Sequence, residues 1–140
     1  MDEIAFSLLD YVCKNVSYRS DNGEYWYFPD ETLARRMGDC DDSAILLCSL
    51  LRNFYPPDRV FIAIGEYRRL GHAWCLLDGE ILETTYTSAR AVADPQNYRA
   101  YAKFNDVFVI EMWPGAMSGL FQLVRNECQK LTLMAEVQSG

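Results

Sequence analysis

Seven residues, Gly38-Asp39-Cys40-Asp41-Asp42-Ser43-Ala44, lie where a loop-like composition gives way to the apolar run Ile45–Leu51, and they constrain the chain more than any other stretch. Asp39 suits a helix N-cap, because its carboxylate can accept a hydrogen bond from a backbone N–H of the first turn. Asp42, three residues on, can bond back in the manner of a capping box. Cys40 then occupies the first helical position. Downstream, Ala44, Leu47, Cys48, Leu51, Phe54 and Tyr55 recur at helical spacing as an apolar stripe, and Cys40, four residues before Ala44, extends it. The pattern predicts a thiol at the positive end of a helix, on the edge of a buried face. A cysteine there is expected to have a lowered pKa and to act as a nucleophile.

The 140 residues fit one domain, expected to span 1–140, with a core large enough to need no disulfide staples. A formal charge of −7 argues against nucleic acid and against an anionic membrane surface as partners. Five cysteines form neither an even framework nor a Cys-x-x-Cys pair, and no apolar run approaches a membrane span. The first residues, Met1-Asp2-Glu3, lack the basic-then-apolar pattern of a signal peptide. The reading is a reduced, cytoplasmic protein; its oligomeric state is not legible.

A first amphipathic helix is predicted over 3–16, with Ala5, Leu8, Leu9, Val12, Cys13 and Val16 on its stripe. Tyr25-Trp26-Tyr27-Phe28 is an aromatic cluster in a loop, either core or one wall of a substrate groove, and Asp30 can cap a short helix through Met37. Pro56-Pro57 ends the central helix. Strands follow at 59–67, 72–77, 81–86 and 107–112, with 87–104 irregular around a Pro95-initiated turn; a last helix is expected at 120–134. Helices first and a meandering antiparallel sheet second make an α+β fold.

The chain has one histidine, His72, at the start of a strand. Asp78-Gly79 is a strong two-residue hairpin turn, and with those two as the loop Leu77 pairs with Glu80, Cys75 with Leu82 and Trp74 with Glu83. His72, Trp74 and Glu83 then share a face, with Glu83 diagonal to His72 and able to hold its tautomer. A three-residue loop would put Glu83 on the other side. Cys13, Cys48 and Cys75 read as packing residues. A second oxyanion donor, beside the Cys40 backbone N–H, is sought in the Trp26 indole or the Tyr18 or Tyr25 hydroxyl.

Tyr25-Trp26, Pro29, Glu31-Thr32-Leu33 and Gly38 to Ala44, followed by Gly71-His72-Ala73-Trp74 and Leu82-Glu83-Thr84-Thr85, resemble the transglutaminase-like superfamily, especially its bacterial and archaeal cysteine-proteinase branch. The resemblance covers roughly residues 3 to 112 and implies a papain-like core with a Cys-His-acid triad. It puts Cys40 as nucleophile, His72 as base and Glu83 where the family usually has Asp, one methylene longer. Tyr18, Tyr25, Trp26 and Trp74 are then the oxyanion and substrate-binding candidates. The implied activity is hydrolysis of an amide or peptide bond in a peptide or protein substrate. Acyl transfer to an amine is the variant, and a non-catalytic protein-binding domain is the competing class. No cofactor is required. Asp39 and Asp41 read first as helix-capping acids, and the branch's use of acids flanking the cysteine makes calcium their second reading.

Overall fold

The computed structural model describes residues 1–18 and 37–112. Among them, helix α1 (Glu3–Asn15) is followed by strand β1 (Ser17–Tyr18), which pairs in parallel with β2 (Met37–Gly38). Helix α2 (Cys40–Leu51) comes next, then β3 (Val60–Tyr67), β4 (Leu70–Leu77), β5 (Glu80–Leu82), a 3-10 turn at Pro95–Asn97, β6 (Tyr98–Phe104) and β7 (Val109–Glu111). The last five strands form one antiparallel sheet in the order β5-β4-β3-β6-β7. The α+β expectation holds. The expected helix at 120–134 and most of the short helix after Asp30 lie outside the described residues, and Met37 itself is in β2.

Both helices begin as their sequences dictate. Asp2 caps α1 by accepting the Ala5 N–H at 2.9 Å. Asp39 caps α2 by accepting the N–H groups of Asp41 and Asp42, while the Asp42 carboxylate accepts the Asp39 N–H at 3.1 Å, completing the capping box. The helix stops at Leu51, so Phe54 falls outside its periodicity and is 59% exposed, whereas Tyr55 is buried in the turn that follows. Ala5, Leu9, Val12 and Cys13 of α1 and Ala44, Leu47, Cys48 and Leu51 of α2 share one core with Val60, Ile62, Cys75, Leu77 and Leu82 of the sheet. The Ser43 and Thr84 hydroxyls, both buried, share a 2.6 Å hydrogen bond that ties α2 to the segment after β5.

The β4–β5 hairpin has the predicted register, Leu77 opposite Glu80 and Cys75 opposite Leu82, with Asp78 and Gly79 at φ 52° and 82° as a primed turn requires. Strand β6 replaces the irregular stretch expected there. It carries a bulge: Ile64 pairs with Ala102 but Gly65 with Ala100, leaving Tyr101 extra. Gly65 is obligatory at this place, because a Cβ would lie 1.9 Å from the Arg99 carbonyl oxygen and 2.8 Å from Ala100 Cα.

Alternation along β4 divides the sheet's two faces. Cys75 and Leu77 face the helices, so His72 and Trp74 face the other way. Leu82 is in the helix-side core, so Glu83 joins His72 on the far face. The stripe of α2 therefore does not cover the imidazole's face. A helical stripe states that it will be buried but not on which side of a sheet.

Candidate active site

The pair foreseen from the hairpin register is present. His72 Nε2 lies 2.7 Å from Glu83 Oε1, and Glu83 is 2% exposed. Tyr98 Oη donates to the same oxygen at 2.6 Å, while Oε2 accepts the Thr85 hydroxyl at 3.0 Å and the Thr85 N–H at 3.3 Å. The Glu83 carbonyl accepts the buried Cys13 thiol from α1 at 3.7 Å. Burial alone would raise the Glu83 carboxyl, but the hydrogen bond and charge of His72, then Tyr98 and Thr85, outweigh it and leave it below its ordinary value. A carboxyl lowered on folding contributes stability above its unfolded pKa and loses it as pH falls through the folded one. The pair thus persists across neutral pH and fails only in acid, below the ordinary carboxylate range.

The imidazole is held by rings as well as by charge. Trp74 stacks on it at 6.0 Å between centroids, with Tyr67 at 5.9 Å and Tyr98 at 6.2 Å. Trp74 is 2% exposed, so the role open to it in this arrangement is packing under the imidazole rather than lining a groove. The indole of Trp26 and the phenol of Tyr25 lie outside the described residues, as does the side chain of Tyr18, whose backbone is in β1.

Cys40 is at the first position of α2, as its capping acid requires. Its thiol donates to Asp41 Oδ1 at 3.8 Å, and the Ala73 N–H donates toward the sulfur. Among the described residues no hydrogen bond joins it to the imidazole. The route by which the two meet follows from the short β5. That strand ends at Leu82, opposite Cys75, so the β4 edge at Ala73 has no strand beside it among the described residues. The thiol sits on that open edge, against the N–H of the residue next to His72.

The expected fall in thiol pKa is reversed. Burial, then the Asp41 charge, push Cys40 up to about 12, with Asp39 and Glu83 adding to the rise and the Ala73 N–H opposing it. A helix terminus favours the thiolate, but desolvation and three nearby carboxylates oppose it more strongly. The resting group is a neutral thiol. Asp41→Asn is expected to move the pH midpoint of Cys40 alkylation downward; an unmoved or higher midpoint, read by mass spectrometry across pH, would show that Asp41 does not act on the sulfur.

The model of the family described as "Transglutaminase-like superfamily" matches residues 2–104. The chain belongs to the transglutaminase-like superfamily. Three solved structures of LapG from Legionella pneumophila share this transglutaminase-like fold. The EGTA-treated form is 17% identical, TM-score 0.68, over 78% of this chain and 66% of its own. The calcium-bound form is 18% identical, TM-score 0.62, over 83% and 78%. A third LapG structure is 18% identical, TM-score 0.64, over 88% and 78%. The chain thus spans about two thirds of the first LapG structure and somewhat more of the others. No curated protein matches the chain by sequence. Membership accounts for the fold, with the helix that carries Cys40 ahead of the sheet. It does not by itself assign chemistry to Cys40, His72 and Glu83.

What sequence reasoning missed in this transglutaminase-like site is Tyr98. It lies within 87–104, the stretch whose sequence predicts irregular structure around the Pro95 turn. The signal was weak because the Tyr101 bulge breaks the alternation that would have marked β6 as a strand.

Proposed function

We propose that this transglutaminase-like domain is a cysteine hydrolase of amide or peptide bonds, with Cys40 as nucleophile, His72 as base and acid, and Glu83 orienting His72. The observation that carries the reading is the His72–Glu83 contact of 2.7 Å beside a thiol bonded to the next residue of the same strand. A neutral imidazole that donates Nε2–H to Glu83 keeps its lone pair on Nδ1. That nitrogen takes the Cys40 proton as the sulfur attacks the substrate carbonyl carbon. The tetrahedral oxyanion is held by the backbone N–H of Cys40, which belongs to the first helical turn and has no intrahelical acceptor. Collapse breaks the C–N bond, and the leaving amine takes the proton from the imidazolium. Water then gives a proton to His72 Nδ1 and attacks the thioester, releasing the acid and restoring the thiol. Because the resting thiol is neutral, proton transfer accompanies attack rather than preceding it.

Calcium is bound in one LapG structure. Asp39 and Asp41 would be its ligands, but Asp39 Oδ1 is engaged by two backbone N–H groups and Asp41 Oδ1 by the thiol. Two carboxylates from one turn fall short of the six to eight oxygens calcium takes, and among the described residues no group of three or more acidic, His or Cys side chains is arranged to hold a metal. Asp39 and Asp41 alone do not complete a calcium shell, and the proposed steps use only the chain's own residues.

The test uses p-nitrophenyl acetate with intact-mass and peptide analysis. An acetyl group on Cys40, absent in Cys40→Ala and slowed in His72→Ala, supports the reading. No adduct on Cys40 would favour a protein-binding domain of the same fold. Discharge of the adduct to an added primary amine faster than to water would favour acyl transfer.

A further inference from the structure

Glu83 presents two oxygens to four donors that come from three places in the chain. His72 approaches from β4, Tyr98 from β6, and the Thr85 hydroxyl and N–H from two residues downstream. The Tyr98 hydroxyl, at 2.6 Å, falls on the oxygen that His72 uses, while both Thr85 groups fall on the other. A glutamate has three side-chain torsions and, unlike an aspartate, could swing its carboxylate out of line with the imidazole. Fixing each oxygen from a separate direction removes that freedom. The Tyr98 ring is itself anchored: it meets Trp74 edge-on at 5.0 Å and Tyr67 at 4.5 Å, and the Tyr67 hydroxyl donates to Asp94 at 2.6 Å.

We propose that Tyr98 is a positioning residue which, with Thr85, clamps Glu83 so that its Oε1 holds the His72 Nε2–H and leaves Nδ1 as the base. The inference rests on the catalytic reading above for its consequence in turnover, but the clamp itself consists of contacts among Tyr98, Thr85, Glu83 and His72. It also explains how this chain functions with the longer acid. The groups facing the Glu83 carboxylate or its near surroundings are His72, Tyr98 and Thr85, together with the neutral thiols of Cys13 and Cys40. Of these, Glu83 is the carboxyl held below its ordinary value.

His72 is the single histidine, so its ring nitrogens give an unobstructed long-range proton–nitrogen NMR signal in the whole protein. Tyr98→Phe keeps the ring contacts and removes only the hydroxyl. The expected result is a loss of at least one third of the Nε2–H tautomer to Nδ1–H, with a broadened Nε2–H proton. Since the hydroxyl helps lower Glu83, the acid limb of Cys40 acetylation by p-nitrophenyl acetate is expected to move up in pH, and the neutral rate to fall about tenfold. A tautomer ratio and acid limb identical to the parent protein's would overturn the proposal, because a ring that merely packs would leave both unchanged. Should Tyr98→Phe fail to fold, 3-fluorotyrosine introduced at position 98 supplies a stronger donor. It is expected to move the acid limb down, and an unmoved limb would overturn the clamp equally. The tautomer readout needs no turnover, so a clamp with no Cys40 adduct would leave Tyr98 in place and remove only the hydrolase reading.

Discussion

Glu83→Gln is expected to slow acetylation of Cys40 by about four orders of magnitude at neutral pH, the scale seen when a triad acid becomes an amide. Four donors converge on the Glu83 oxygens, and glutamine offers one carbonyl oxygen and one NH2 group. If the oxygen turns toward Thr85, the amide N–H faces both Tyr98 and His72. The imidazole must then present an unprotonated Nε2 and carry its proton on Nδ1, the nitrogen that should be the base. If the oxygen turns toward His72 instead, the amide NH2 faces the Thr85 N–H in a buried site. Either arrangement leaves an unsatisfied donor, costing about 1–3 kcal/mol. The rate loss should therefore far exceed the stability loss. Acetylation within tenfold of the parent rate would mean that the carboxylate's charge does not serve the imidazole.

Gly65→Ala should have the largest effect on stability. The added methyl would meet the Arg99 carbonyl oxygen and the Ala100 Cα, both backbone, so no rotamer change relieves it. Strand β6 must move, and the residue beside Arg99 is Tyr98, whose hydroxyl holds Glu83. The expected cost is about 3 kcal/mol or more, a fall in Tm of about 10 °C for a domain of this size. Gly71→Ala is the internal comparison, because a Cβ there meets nothing within 4 Å. Thermal melts of the two variants should differ widely; equal melting temperatures would show that β6 yields freely at the bulge.

The two residues whose contact anchors the site were legible in the sequence, for a local reason. Asp78-Gly79 admits one tight turn, the turn fixes the register, and the register puts Glu83 diagonal to His72. Cys40 was legible through its capping box, which locates the helix start to the residue. Tyr98 was not. Its strand alternates large and small residues with Arg99 and Lys103 among them, and the bulge shifts the alternation midway, so neither propensity nor period identifies it. The thiol's neutrality was missed because the helix terminus is visible in sequence but burial and the direction of the Asp41 carboxylate are not. That α2 and His72 lie on opposite faces follows from the alternation along β4, and a helical stripe in the sequence does not say which face of a sheet it will cover.

The central claim is that His72 activates Cys40, and alkylation at pH 7 tests it directly. A thiol with a pKa of about 12 is ionised in roughly one molecule in 10^5 at that pH. Unaided, it should react about a thousandfold more slowly than an ordinary exposed cysteine. With iodoacetamide and peptide mapping, the account predicts that Cys40 is modified well ahead of buried Cys13, Cys48 and Cys75, and that His72→Ala drops it to the unaided rate. Equal Cys40 rates with and without the imidazole would contradict it.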